Sequence, residues 1–170
     1  MGMFDFLKKE KAAAAPAEVP SNTLLAIQDG EILPVEKVPD PVFARKVLGD
    51  GYAVNPVSGK VLAPASGTII DIQDTLHAYG IETEDGLELV EHIGIDTVEL
   101  KGEGFKTKHK VGDKIRAGEL LATVDLNLLE RKNVPKYTMV IITNMEEIDH
   151  ITLVSGTAKA GTPALTYEKK

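Results

Sequence analysis

Two histidines, His77 and His92, lie on either side of the turn signal Asp85-Gly86. An Asp-Gly pair favours a tight turn between two strands, and its position predicts that the histidines fall at about the same height on neighbouring strands. Side chains that face each other across such strands lie roughly 5 Å apart at Cβ. Because two imidazoles this close are costly to charge twice, we expect one or both to be neutral near pH 7. A neutral imidazole can bind a metal, accept a proton or attack phosphorus.

The residues next to the two histidines also suit a reactive site. Thr75 lies two residues before His77, where its hydroxyl could hold the imidazole in one tautomer. Gly94 leaves space beside His92 for a bulky group, and backbone N–H groups between Gly94 and Asp96 could hold an anion. The alternative, in which the histidines only cap strands, has about equal weight for this pair.

A zinc hydrolase is a second alternative for the same residues. A hydrolytic zinc site usually has three protein ligands and one open position. The sequence contains neither an HExxH motif nor a His-x-His pair. A zinc ion at His77 and His92 would therefore need a third ligand from a partner protein.

The other two histidines carry no comparable signal. His109 lies in the basic, polar stretch "KTKHKVGDK", where we expect it to be solvated. His150 follows three acidic residues on an expected surface helix, and we expect no role for it.

The elements that must position the histidines are predicted to be strands. From residue 21 onward, short segments rich in Val, Ile and Thr alternate with turn signals, which predicts an all-β, antiparallel β-sandwich or flattened barrel over 21–170. Short helices are expected at 127–132 and 144–151. The segment 24–33 aligns with 61–70, and 114–123 echoes 157–166, which indicates a pseudo-duplicated fold whose halves share a core.

Composition excludes several classes of function. The 170 residues include no cysteine and carry a net charge of −7, so disulfides, zinc–thiolate sites and nucleic-acid binding are not expected. No apolar run approaches the roughly 20 residues of a membrane span, and we expect a cytoplasmic protein. Residues 1–20 are predicted to be a flexible segment, in which 1–9, "MGMFDFLKK", is either a frayed terminus or a weak contact with a membrane surface.

Several longer strings resemble known families. Residues 111–125 are similar to the hairpin of biotinyl and lipoyl carrier domains, although no Met-Lys-Met is present. The strings "HIGIDTVELKGEGF" (92–105), "PVFARKVLGDGYAVNP" (41–56), "VLAPASGTI" (61–69) and "VIITNMEEI" (140–148) resemble the glucose-class enzyme IIA of the bacterial phosphoenolpyruvate:sugar phosphotransferase system. This resemblance covers essentially the whole chain and implies a β-sandwich with two pseudo-symmetric sheets.

The resemblance also implies roles for individual residues. His92 matches the histidine that carries the phosphoryl group on Nε2, His77 the second histidine that passes it on, and Thr75 the threonine that orients His77. Gly94 and Asp96 would surround the phosphate. Three groups of residues are expected to contact a partner. Asp40 and Asp96 match an acidic rim, and an apolar collar is matched by Val42, Phe43, Val47 and Val98. Tyr79 and Ile93 stand where the family has phenylalanines close to the phosphoryl histidine. Glu91 is expected to add a charge beside His92.

The function implied by the resemblance is phosphoryl transfer during sugar uptake. The group would come from phospho-HPr and pass to the IIB domain of a sugar permease, with regulatory targets such as permeases or kinases. We expect no required cofactor, and zinc at His77 and His92 is the only metal that the resemblance suggests. A regulatory docking module without transfer activity, and the zinc hydrolase described above, remain the alternatives.

Overall fold

The computed structural model describes residues 19–154 and 156–170, whose regular structure is mostly β-strand. The predictions for a flexible segment and a membrane-surface contact at 1–9 lie outside the described residues, apart from the last two residues of the 1–20 segment. The strands are β1 (Thr23–Leu25), β2 (Gly30–Pro34), β3 (Asp50–Pro56), β4 (Lys60–Leu62), β5 (Gly67–Ile72), β6 (Ala78–Thr83), β7 (Glu88–Ile93), β8 (Phe105–Lys106), β9 (Lys114–Ile115), β10 (Leu120–Val124), β11 (Thr138–Ile142), β12 (Ile148–Leu153), β13 (Gly156–Ala158) and β14 (Pro163–Lys169). The helices are α1 (Pro41–Ala44), α2 (Leu126–Arg131) and 3-10 turns at Val35–Lys37, Thr97–Leu100 and Met145–Glu147.

The strands form one large and two small antiparallel sheets. The large sheet has the order β13-β2-β3-β11-β7-β6-β5-β9, and the small ones have the orders β1-β14-β12 and β4-β10-β8. One aliphatic core joins all three sheets, with side chains such as Leu24, Val61, Ile81 and Leu121 fully buried. The prediction of an antiparallel β-sandwich is therefore confirmed.

The predicted internal repeat appears as matched backbone hydrogen bonds. Leu25 N–H donates to the Pro64 carbonyl (2.9 Å), and its counterpart Leu62 N–H donates to the Ile27 carbonyl (2.8 Å). The Ala-Gly pairs behave in the same way, since Gly118 and Gly161 each donate at 2.9 Å to the carbonyls of the equivalent residues Ala63 and Ala26. The two halves are thus related by a pseudo-two-fold arrangement through their shared core.

The opposite face of the large sheet carries a second, smaller apolar cluster. It consists of Val35, Val38, Phe43, Ala53, Ile95, Met139 and Ile141. Residues on β3 and β11 alternate between this cluster and the main core because successive side chains on a strand point to opposite faces. Met139 lies directly opposite His92 in the β11–β7 ladder, so this smaller cluster lies beside His92 on the same face of the sheet.

The two helix predictions had different outcomes. The helix predicted at 127–132 is present as α2, which begins after an Asp125 side chain that accepts a hydrogen bond from Leu128 N–H. The prediction for 144–151 is wrong beyond a single 3-10 turn, because Ile148–Leu153 pairs with β14 as a strand. No helix among the described residues is long and apolar enough to cross a membrane.

Candidate functional site: the histidine pair

The β6–β7 hairpin brings the two histidines together. Its turn contains Gly86 at φ +87°, and Ala78 lies opposite His92 in the ladder. His77 precedes β6 by one residue, and its carbonyl accepts from Ile93 N–H at 2.7 Å. The two imidazole centroids are 5.0 Å apart, with the rings nearly perpendicular at 81°. Both rings line one surface depression along β5, β6 and β7.

The His92 ring is held by the backbone just after it. Its Nδ1 lies 2.8 Å from the Gly94 carbonyl, which can only accept, so Nδ1 carries the proton and donates. Nε2 of a neutral His92 is therefore left with its lone pair. This arrangement defines which nitrogen can react.

Gly94 has a different structural role from the one expected. It adopts φ +77°, and a Cβ there would lie 2.3 Å from the Thr97 side chain, so the space beside Gly94 is filled by Thr97. The Gly94 and Ile95 N–H groups donate to the carbonyls of Tyr137 (2.8 Å) and Pro135 (3.0 Å). These two N–H groups are thus unavailable to an anion, and the importance of Gly94 is that its carbonyl orients His92.

His77 is oriented by Thr75, as the sequence predicted. The Thr75 hydroxyl lies 2.6 Å from His77 Nδ1. Both residues belong to the closed turn between β5 and β6, in which Leu76 adopts φ +59° and its N–H donates to the Gln73 carbonyl at 2.8 Å. The Nε2 atom of His77 is therefore the nitrogen left for a ligand.

Burial keeps both imidazoles neutral near pH 7. Desolvation, strengthened by the nearby His77, lowers the pKa of His92 to about 4, against the opposing effects of the Gly94 carbonyl, Asp40 and Asp96. Desolvation also lowers the pKa of His77. A pair of neutral imidazoles agrees with the expectation from their spacing.

The helix α1 lies next to His92 and carries Phe43. The Asp40 carboxylate caps it by accepting from the N–H groups of Val42 (2.8 Å) and Phe43 (3.4 Å). The Phe43 ring is buried, with its centroid 5.0 Å from that of His92. The other three collar residues are exposed apolar side chains: Val42 at 45%, Val47 at 68% and Val98 at 50%. Asp96 is exposed just before Val98.

Two residues predicted to contact a partner do not reach the surface. Tyr79 and Ile93 are 1% and 0% exposed and belong to the main core. Each is one residue away from a position on the histidine face, and the two-residue period of a strand turns it to the other side. The predicted partner contacts of Tyr79 and Ile93 are therefore wrong.

Glu91 is the other correction at the site. It is fully buried beneath β7, next to His92 in sequence but on the opposite face, and it pairs in register with Tyr79 and Val140. Neither of its carboxyl oxygens has a hydrogen-bond partner among the described residues. Burial raises the pKa of Glu91 well above its usual value. Glu91 thus adds no negative charge to the histidine face.

The remaining histidines have clear places in the fold. His109 is not simply solvated, because Nε2 lies 3.0 Å from the Leu120 carbonyl and Nδ1 lies 3.3 Å from Asp113. His150 is exposed on a strand rather than a helix, beside Asp149 and Glu168. Within 19–154 and 156–170, that exposed trio is the only group of three potential metal ligands, so His77 and His92 have no third ligand there.

Comparison with known proteins supports the resemblance seen in the sequence. A family model described as phosphoenolpyruvate-dependent sugar phosphotransferase system, EIIA 1, matches residues 22–148. The chain belongs to this family. The EIIA family places it among the phosphocarrier proteins of the sugar phosphotransferase system.

Two relatives and one solved structure illustrate this membership. The chain is 46% identical over 138 residues to the glucose-specific EIIA component of Buchnera aphidicola, covering 81% of this chain and 86% of the relative. It is 42% identical to the glucose-specific EIIA component of Haemophilus influenzae over the full length of both chains. The glucose permease IIA of Mycoplasma capricolum has the same fold, with a TM-score of 0.77, 37% identity and coverage of 84% of this chain and 94% of that one.

Proposed function

We propose that this EIIA protein accepts a phosphoryl group from phospho-HPr on Nε2 of His92 and passes it to the IIB domain of a sugar permease. The observation that carries the proposal is the hydrogen bond from His92 Nδ1–H to the Gly94 carbonyl, beside a second neutral histidine. It leaves a single nucleophilic nitrogen on a ring that is uncharged near pH 7. Exchange with HPr would take place in the cytoplasm.

In the first transfer, a bond forms between His92 Nε2 and phosphorus while the bond from phosphorus to the donor breaks. The His92 ring gains positive charge as its lone pair is shared, and Nδ1 keeps its proton. The Gly94 carbonyl, Asp40 and Asp96 favour that charge, as their upward effects on the His92 pKa indicate. Because the transition state is loose, positioning and charge stabilisation account for most of the acceleration.

His77 would bind the phosphoryl oxygens. If the Thr75 hydroxyl donates to Nδ1, then Nε2 of His77 carries the proton and can donate to a phosphoryl oxygen. A donor aimed at the transferring group stabilises the transition state in both transfers. Thr75 therefore acts through His77 as a positioning residue.

The surface around the pair suits docking of a basic, partly apolar partner. Val42, Val47 and Val98 can exclude water from the phosphorus–nitrogen bond when a partner covers them. The carboxylates of Asp40 and Asp96 can steer basic donors. A phosphate on His92 adds about −1.5 to −2 charges at pH 7, so binding of regulatory permeases or kinases would depend on phosphorylation.

Zinc could bind at the histidine pair only in a complex with a partner protein. Nε2 of His92 is one potential zinc ligand, and Nε2 of His77 becomes a second when the Thr75 hydroxyl accepts from Nδ1–H instead of donating; a third ligand must come from a bound partner. No cofactor is needed for the transfer itself.

The test is phosphoryl uptake from phosphoenolpyruvate through enzyme I and HPr. The wild-type chain should become labelled in an acid-labile form, whereas His92→Ala should take up no label. The exposed His150→Ala variant is the matched control and should be labelled like the wild type. Equal labelling of His92→Ala and wild type would overturn the assignment, and an unlabelled wild type would favour a docking role alone.

A further inference from the structure

A second concave surface lies between β8 and β10, on the side of the sandwich formed by the small sheets. The two strands pair only at Phe105 and Lys106, and beyond that point they diverge. The gap is spanned by side chains: the Thr107 hydroxyl donates to the Leu121 carbonyl at 2.7 Å, and His109 Nε2 lies 3.0 Å from the Leu120 carbonyl. The result is an open groove of about 760 Å³.

The floor of this groove is apolar. It is lined by Leu76, Phe105, Leu120, Leu121 and Ala122. Leu120 is 45% exposed although it belongs to a paired strand, because no other part of the described chain covers it. Concave apolar surfaces of this volume are typical of sites for small molecules.

The rim of the groove is basic in an otherwise acidic protein. Lys106 and Lys108 line it, and neither forms an ion pair within the described residues. The acidic Glu119 at the same rim is already engaged, since it accepts from Arg116 N–H at 3.0 Å and lies 3.5 Å from His109. An occupant that combines an apolar body with a negative charge therefore complements this surface.

We propose that this groove binds a monoacyl carboxylate, that is, a fatty acid. Its hydrocarbon chain would lie on the accessible side chains of Leu76 and Leu120, over the buried Phe105 and Leu121, and its carboxylate would pair with Lys106 and Lys108. Burying the chain supplies the affinity, at about 25 cal/mol per Å² of apolar surface, and the lysines select the charge. This site is distinct from the histidine face and does not depend on the proposed transfer activity.

The groove also contacts the turn that holds the histidine site. Leu76 lies in the groove, while its neighbours Thr75 and His77 form the hydrogen-bonded pair on the other side of the turn. A bound acyl chain touches Leu76, so it perturbs the His77 ring through a single residue. His109, which lines the groove directly, is perturbed more strongly.

The four histidines allow a direct test by NMR of their imidazole signals. Dodecanoate is titrated into the full-length chain below its micelle-forming concentration. The largest shift is expected at His109, a smaller one at His77 and none at the exposed His150. No shift at His109, equal shifts at all histidines, or the same shifts with inorganic phosphate would overturn the proposal.

Variants separate the two parts of the site. Leu120→Asp should abolish saturable binding, and its matched control Val57→Asp, at a 76% exposed valine, should not. The double variant Lys106→Glu/Lys108→Glu should weaken binding roughly tenfold, whereas Lys159→Glu should leave it unchanged. Unchanged His150 signals and melting temperature establish that each variant is folded. Wild-type affinity in both groove variants would contradict the proposal.

Discussion

The adjacent residues Glu91 and His92 lie on opposite faces of β7, and only His92 has directed contacts to its side chain. Both His92 and Glu91 are desolvated: burial lowers the pKa of His92 to about 4 and raises the pKa of Glu91 well above its usual value. His92 has its Nδ1 engaged by Gly94 and its ring next to that of His77, whereas neither oxygen of Glu91 has a partner within the described residues. Burial alone gives Glu91 only a shifted pKa and a cost in stability. Burial combined with directed hydrogen bonds gives His92 a defined reactive atom.

The largest expected effect is on the histidine face. His77→Gln should lower the rate of onward transfer to IIB by roughly 10²- to 10³-fold, which is the usual cost of removing one donor from a charged transition state. Labelling of His92 from phospho-HPr should still reach completion, although at a lower rate. Single-turnover transfer from the phosphorylated variant measures this effect, with His150→Gln as the control. Unchanged onward transfer would mean that the second imidazole has no part in the reaction.

A smaller effect on onward transfer is expected from substitution of Thr75, whose hydroxyl contacts His77. Thr75→Val removes the 2.6 Å contact with Nδ1 and should slow onward transfer about 10- to 100-fold, because the ring then loses its fixed tautomer. Thr75→Ser keeps the hydroxyl and should restore most of the rate. A structural role alone would lower the melting temperature of both variants equally and would leave the shape of the pH–rate profile unchanged.

A substitution at Glu91, on the core face of β7, should stabilise the fold and leave phosphoryl transfer unchanged. Glu91→Leu removes a buried carboxyl without a partner and should raise the free energy of unfolding by about 1–3 kcal/mol, measured by urea denaturation. Labelling of His92 should be unaffected. A destabilised Glu91→Leu protein would show that the carboxyl is well solvated or hydrogen-bonded in solution.

The pH dependence of stability separates the two faces further. For His92, the folded pKa of about 4 lies below the ordinary value of 6.5, so the unfolded chain binds more protons in that interval and stability rises with pH. For Glu91, the folded pKa lies above 4.5, so the folded chain binds more protons and stability falls as pH rises above 4.5. We expect Glu91→Leu to abolish the fall and His92→Gln to reduce the rise. Unchanged pH profiles in both variants would contradict the contrast between the faces.

The smallest expected effect concerns the collar. Val47→Asp places a charge on an exposed apolar side chain of the proposed collar and should raise the apparent KM for phospho-HPr by about three- to tenfold, with little change in kcat. Val57→Asp is the matched control, since Val57 is exposed but lies outside the collar. An equal increase in KM in both variants would show that Val47 is not part of the docking surface.

Much of the site could be predicted because its signals are local. The Asp85-Gly86 turn brought His77 and His92 to neighbouring strands, and the two-residue separation of Thr75 and His77 indicated their contact. The internal repeats predicted the paired halves because equivalent residues make equivalent backbone hydrogen bonds.

The remaining features depend on packing that no short stretch encodes. The alternation of a strand could have separated Glu91 from His92, but only after β7 was assigned and its faces were known. Gly94 looked like open space, yet Thr97 from the following 3-10 turn fills it. The groove arises where β8 and β10 diverge, which requires the pairing of strands distant in sequence.

The most direct test of the central claim is nitrogen-15 NMR of the phosphorylated, imidazole-labelled protein. The hydrogen bond from Nδ1 to the Gly94 carbonyl predicts phosphorus coupled to Nε2 of His92, with Nδ1 still protonated. Phosphorus on Nδ1, or on another histidine, would contradict the account.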